Sequence, residues 1–370
     1  MKTGIYIHIP FCVSKCNYCD FLSFSNKENQ MEDYTKSLCE EIRKCVINET
    51  IQTIFIGGGT PTVLPIQYME MIIEAVMEKN IESQYEFTVE ANPDTVDEKY
   101  LQRLLKLGVN RLSFGLQSCN DEILKKLGRT HSYEVFLNKF LIARKVGFNN
   151  INVDLMYTLP GQTVADFKET LEKIVKLKPE PEHISAYSLI IEEGTVFFNL
   201  NSEKKLKLPT EEEDILFNKL CCDVLRENDY YKYEVSNYSK KGYECKHNII
   251  YWELDNYYGF GLNAHSKIYN ERKSNTASLD DYLIENKKNE VEVLSKEMEI
   301  EEFVFLGLRM TKGINMKKFK EKFDLDFYEI YGEKIEDLVL KGLLVKNNDD
   351  LFATENGFNV LNYVIEKLLL

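Results

Sequence analysis

The sequence contains no run of the roughly 18–20 apolar residues that a membrane-spanning helix requires. Its apolar start at residues 5–11 is broken by His8 and leads into cysteines, so neither a span nor a signal peptide is expected. Basic residues are in deficit, with 46 Lys and Arg against 60 Asp and Glu and a net charge of −14, which excludes nucleic acid as a general partner. Only 18 glycines and 8 prolines occur in 370 residues, too few for a collagenous chain, and 44% apolar content excludes a disordered one. Without a secretion signal the protein reads as cytoplasmic and its nine cysteines as reduced thiols. Clustered thiols then point to metal and scattered ones to burial. Cys39, Cys45, Cys119, Cys221 and Cys222 are scattered, whereas Cys12, Cys16 and Cys19 are clustered.

The first 200 residues alternate β-rich runs with amphipathic helical patterns, the signature of βα units in a parallel sheet. Strands are expected at residues 4–10, 53–57, 85–91, 110–115, 151–155 and 183–189, and helices at 31–47, 65–79, 97–107 and 163–177. Asp94 or Thr95 is the expected N-cap of the third helix. Six such units suit an α/β fold built as a partial (β/α)6 barrel over residues 1–209, with a doubly wound sheet as the alternative. An acidic helix at 210–227 and a Tyr-rich stretch with the chain's single tryptophan, Trp252, form a connecting segment over 210–290. Residues 286–293 are a polar linker. Beyond it, the pattern over 291–370 predicts a small α+β, winged-helix-like C-terminal domain, itself net acidic and so no DNA binder.

The strongest chemical signal is Cys12-x3-Cys16-x2-Cys19, three thiols in eight residues just after the first strand. A structural zinc site wants four closed ligands, and no second cysteine pair with ligand spacing exists. A four-iron cluster on three thiolates leaves one iron open, as a reactive cluster needs. Gly57, Gly58 and Gly59 end the second strand, and without a following Gly-Lys-Ser/Thr they are no phosphate-binding P-loop. Glu90, Gln117, Asp154 and Ser188 each fall at or just past the C-terminal end of an expected strand, the rim where barrels of this kind build their sites. Tyr6, His8 and Pro10 share one strand face; His8 reads as a satisfied interior histidine.

Cys-x3-Cys-x2-Cys after an early strand is the hallmark of radical S-adenosylmethionine (SAM) proteins. Together with residues 6–12 (YIHIPFC), 57–62 (GGGTPT) and 154–163 (DLMYTLPGQT), it makes the chain similar to the oxygen-independent coproporphyrinogen III oxidase family along nearly its whole length. The resemblance implies a [4Fe-4S] cluster on Cys12, Cys16 and Cys19 and a SAM molecule whose reduction gives a 5′-deoxyadenosyl radical. It places Tyr6, Gly58, Gly59, Thr60 and Glu90 against SAM, with Gln117, Arg129, Asp154 and Ser188 around it. No residue is assigned a catalytic role, and whether SAM is cleaved stays open.

The chain departs from the oxidase pattern in three ways. Phe21 stands where oxidase members carry a fourth cysteine, only eleven residues precede Cys12, and residues 247–252 read His-Asn-Ile-Ile-Tyr-Trp. That last motif resembles the haem-chaperone branch of the family. The resemblance implies haem binding and delivery to haem-requiring proteins, the membrane being met only through such a partner. His247 can offer an imidazole to haem iron and Cys245 a thiolate, with Tyr251 and Trp252 as flat cover. Against this, His247 can equally be a hydrogen-bonded histidine in the barrel seam and Trp252 plain core, and His265 is a competing ligand. A working porphyrinogen oxidase and a zinc-stabilised interaction protein are the alternative functions.

Overall fold

The structure is a computed structural model and describes residues 2–284 and 290–369. Six parallel strands lie side by side in sequence order: β1 (Thr3–Ile9), β2 (Ile51–Gly58), β3 (Ile81–Ala91), β4 (Arg111–Gln117), β5 (Ile151–Tyr157) and β6 (His183–Ser188). A doubly wound sheet would reverse direction partway, and this order never does. Helices such as Met31–Lys44, Ile66–Met77 and Val164–Val175 cover the outside. β1 (TGIYIHI) and β5 (INVDLMY) are almost wholly buried and alternate by twos: Ile5, Ile7, Ile9, Ile151, Val153 and Leu155 join the hydrophobic core, whereas Tyr6, His8, Asn152 and Asp154 occupy the other face.

The sheet continues through the connecting segment at both edges. β7 (Tyr231–Lys232) and β8 (Asn237–Ser239) extend the β6 side, with β8 antiparallel to β6. On the other side β9 (Asn256–Phe260) runs parallel to β1, followed by β10 (His265–Ile268), β11 (Glu271–Ser274) and β12 (Glu290–Val293). The expected polar linker is therefore partly a strand: residues 290–293 pair with β11, and 286–289 lie outside the described residues. A second core gathers Ile300, Val304, Phe319, Tyr331, Leu338 and Val364 around a three-stranded sheet, forming the small C-terminal α+β unit.

Helix ends follow local chemistry. Thr163 and Thr210 begin their helices with reciprocal capping boxes to Asp166 and Glu213. The third helix, Glu98–Lys106, is capped by Asp97 rather than Asp94 or Thr95, because residues 93–95 form a separate 3-10 turn and Asp97 alone reaches the Tyr100 amide.

Candidate functional site

The cysteine loop leaves β1 at Ile9 and is pinned at its base, where the Cys12 amide donates to the Phe24 carbonyl at 2.9 Å and the Phe24 amide to Pro10 at 2.8 Å. Its far side is tied down by Asn17, whose amide donates to Leu127 and whose side chain donates to Lys126, both at 2.9 Å. Cys12 is buried, while Cys16 and Cys19 are half-buried. Against this loop lies the glycine turn ending β2. A Cβ on Gly59 would stand 2.9 Å from the Cys12 sulfur and 2.7 Å from the Phe11 carbonyl; Gly58 has φ +111° and would press its Cβ to 2.6 Å from the His8 ring.

One cavity takes in all three thiols together with Gly58, Gly59, Thr60, Glu90, Gln117, Arg129 and Asp154. Thr60 donates to the Cys12 sulfur at 3.5 Å and Arg129 to the Cys16 sulfur at 3.6 Å. Arg129 is fixed in place by Asn92 at 2.7 Å and the Gly115 carbonyl at 2.5 Å. Gln117 reaches the cavity from a bulged strand end with φ +73°, and its amide oxygen accepts from Tyr187 at 3.1 Å. The two carboxylates form the floor. Glu90 accepts from the Gly58 amide at 3.1 Å, and burial with the nearby Asp154 charge pushes its carboxyl up to about 8. Burial also raises Asp154, which Asn152 (2.7 Å) and Ser113 (3.4 Å) hold in place.

The residues present fit an iron–sulfur cluster with a zwitterionic ligand. Among the described residues no three His, Cys, Asp or Glu side chains converge closely enough for a single metal ion. The glycine turn leaves room beside Cys12 that any side chain would fill, a Cβ on Gly59 lying 2.9 Å from its sulfur. Burial holds the Cys12 thiol above its ordinary value and Cys19 at about 11. A cluster held by these residues would need them as thiolates, and the hydrogen bonds from Thr60 to Cys12 and from Arg129 to Cys16 would stabilise that negative charge on sulfur. Glu90 and Asp154 complement an ammonium group, while Arg129 complements a carboxylate.

Four expected site residues lie elsewhere. Ser188 faces away from the cavity and donates to Asp214 at 3.1 Å. Period-two alternation along β6 instead turns His183, Ser185 and Tyr187 inward, a signal already present in the sequence. Tyr6 lies outside the cysteine cavity, in a neighbouring cleft, and donates to His8 Nδ1 at 3.0 Å; that nitrogen must accept, because His8 Nε2 donates to the Leu22 carbonyl at 2.9 Å.

His247 and Cys245 are at the opposite, N-terminal mouth, where the helix Lys246–Trp252 plugs the barrel. His247 is 1% exposed, with Nδ1 hydrogen-bonded to Thr53 at 2.8 Å and Nε2 to Tyr251 at 2.7 Å. Burial drives its pKa down to about 3. Cys245 is equally buried, pushed up to about 12, and donates to Glu86. Neither side chain faces solvent, so in this arrangement neither presents a free donor to a ligand; His247 occupies the place of the hydrogen-bonded seam histidine. Glu86 also accepts from the amides of Lys246 and His247, both at 3.1 Å, and thereby caps the plug. A polar chain links the two mouths. Asn152 donates to Asp154, His183 to Asn152 at 2.6 Å, Tyr233 to His183 at 2.8 Å, and the Cys245 amide to Tyr233 at 3.2 Å.

An open barrel of six parallel strands with three thiols on its first loop and a polar cavity at the strand ends defines a radical SAM protein. The Radical SAM superfamily model matches residues 6–174, and the HemN C-terminal domain model matches 294–360. The chain is 41% identical to the heme chaperone HemW of Lactococcus lactis over 99% of its length and 97% of that protein. It is 36% identical to the Bacillus subtilis HemW over 96% of each. The fold of Escherichia coli coproporphyrinogen III oxidase, HemN, superposes with a TM-score of 0.86 at 20% identity, covering 100% of this chain and 90% of that one. The chain belongs to the HemW family of radical SAM proteins.

Proposed function

We propose that the protein is a haem chaperone that carries a [4Fe-4S] cluster and SAM and hands haem to haem-requiring proteins. The observation that carries this reading is the similarity along 99% of the chain to a protein named a heme chaperone. Cys12, Cys16 and Cys19 would hold the cluster. Glu90 and Asp154 would face the amino group of SAM, and Arg129 with Gln117 its carboxylate. When bound, a cluster on three thiolates supplies an iron open to an outside ligand and a source of single electrons. Glu90, whose carboxyl burial and the Asp154 charge push up to about 8, would give up its proton more readily with a cation beside it. Among the described residues no helix is long and apolar enough to cross a membrane.

The deciding experiment offers anaerobically reconstituted protein either haemin or coproporphyrinogen with SAM and reductant. The expected result is haemin uptake without conversion of coproporphyrinogen; turnover to protoporphyrinogen would replace the chaperone reading with the oxidase one. Cys16→Ser should lose the iron–sulfur absorbance and retain haemin uptake, which separates the two iron-containing groups.

A further inference from the structure

We propose that haem docks in a second cleft beside the cysteine cavity, with His265 as its axial ligand, and that His247 acts at one remove by fixing Tyr251 in the cleft wall. This rests on the haem reading above. The cleft is about 460 Å³, within the range of small-molecule sites, and is shaped by Phe21, Leu22, Tyr251, Tyr257, Asn263 and His265. Phe21, 61% exposed, borders this cleft and the cysteine cavity alike. Tyr251 and Tyr257 meet edge to face at 4.6 Å, giving a flat macrocycle an aromatic wall.

Iron in such a macrocycle needs a ring nitrogen that can be reached. Of the five histidines, His8, His131, His183 and His247 are buried, and only His265 is exposed. Its ring has no hydrogen-bond partner among the described residues, whereas His8, His183 and His247 have both nitrogens engaged. The backbone that presents it is rigid. β10 pairs with β11 through His265 and Ser274, and a Cβ on Gly259 in β9 would stand only 2.0 Å from the His265 carbonyl oxygen.

This arrangement gives the His-Asn-x-x-Tyr-Trp motif a different role from ligation. The His247 ring stacks on Phe55 at 5.2 Å and holds the Tyr251 hydroxyl at 2.7 Å, so it positions a wall of the cleft from behind. Removing it loosens the wall and leaves the ligand in place.

The test is haemin titration of the full-length, cluster-reconstituted protein, read as difference absorbance in the Soret region. His265→Ala should fold as the wild type does, since the side chain is exposed, and should lose the imidazole-type spectral shift, with free imidazole restoring it. His247→Ala should weaken binding about tenfold, the scale of supporting-residue losses at metal sites, with the shift unchanged. His247→Gln should recover part of that loss. Wild-type uptake with His265→Ala unchanged in spectrum and affinity would overturn the assignment and leave the haem reading standing. Loss of the shift in His247→Ala but not in His265→Ala would also overturn it. No uptake by the wild type would remove the haem reading itself.

Discussion

The carboxylate of Glu86 organises the closed end of the barrel, and removing it has a calculable cost. In Glu86→Ala the amides of Lys246 and His247 and the Cys245 thiol lose their acceptor in a dry interior, and the buried guanidinium of Arg111 loses a nearby negative charge. Unsatisfied buried donors cost about 1–3 kcal/mol each, and breaking up a buried charge pair costs about 3–5 kcal/mol. The same atoms enter both figures, so they do not add, and the expected loss is about 3–5 kcal/mol. Glu86→Gln keeps one acceptor oxygen and should lose about 1–2 kcal/mol. Glu82→Ala, exposed on the same strand, should stay within about 0.5 kcal/mol of the wild type. Trp252 makes the assay local, because the only tryptophan of the chain sits in the plug helix under Arg309, so its fluorescence during urea unfolding reports on this mouth. A Glu86→Ala midpoint indistinguishable from that of Glu82→Ala would refute the capping argument.

Two further outcomes follow from the site. Gly58→Ala places a methyl group against His8 at a positive φ, so the variant should lose about 1–3 kcal/mol and much of its cluster loading, measured as iron per chain; normal iron content would show that the turn relaxes freely. The His247 imidazole titrates near 3 in the folded chain and near 6.5 when unfolded, so its burial stabilises fully above about 6.5 and is lost as the pH falls towards 3. At about 1.4 kcal/mol per pH unit, the stability gap between wild type and His247→Gln should narrow by about 2 kcal/mol from pH 6.5 to 5. A gap that stays constant in urea titrations over that range contradicts a buried neutral ring.

Much of the architecture was legible because its signals are local. Each of the six parallel strands overlaps its expected span, since short β-rich segments set between amphipathic helical stretches mark the βα repeat. The cysteine spacing, the glycine turn and Glu90 converge on one cavity because the C-terminal ends of parallel strands share one rim, whereas Asp154 reaches it from the middle of β5 rather than from the expected strand end. What escaped depends on direction. Ser188 and Tyr187 are neighbours in sequence, yet only one faces inward, and the alternation from His183 decides which. A motif such as residues 247–252 names its residues but does not say which mouth of the barrel they close; that is fixed by Thr53, Glu86 and Tyr233, distant in the chain. Residues 290–293 looked like solvated linker because an edge strand with alternating Glu and Val carries little apolar signal.

The plug has a bearing on how this molecule can be cut down. The superfamily match ends at residue 174, but His183 finds its partner in Tyr233, and Glu86 and Arg111 are kept dry by residues 245–252. A fragment ending after the sixth strand would expose a ring of charged and polar side chains through an uncorked base and would strand the hydrogen bonds that steady Asp154. The smallest autonomous version therefore has to reach past Trp252 and β9, even though the three clustered thiols all lie within the first twenty residues.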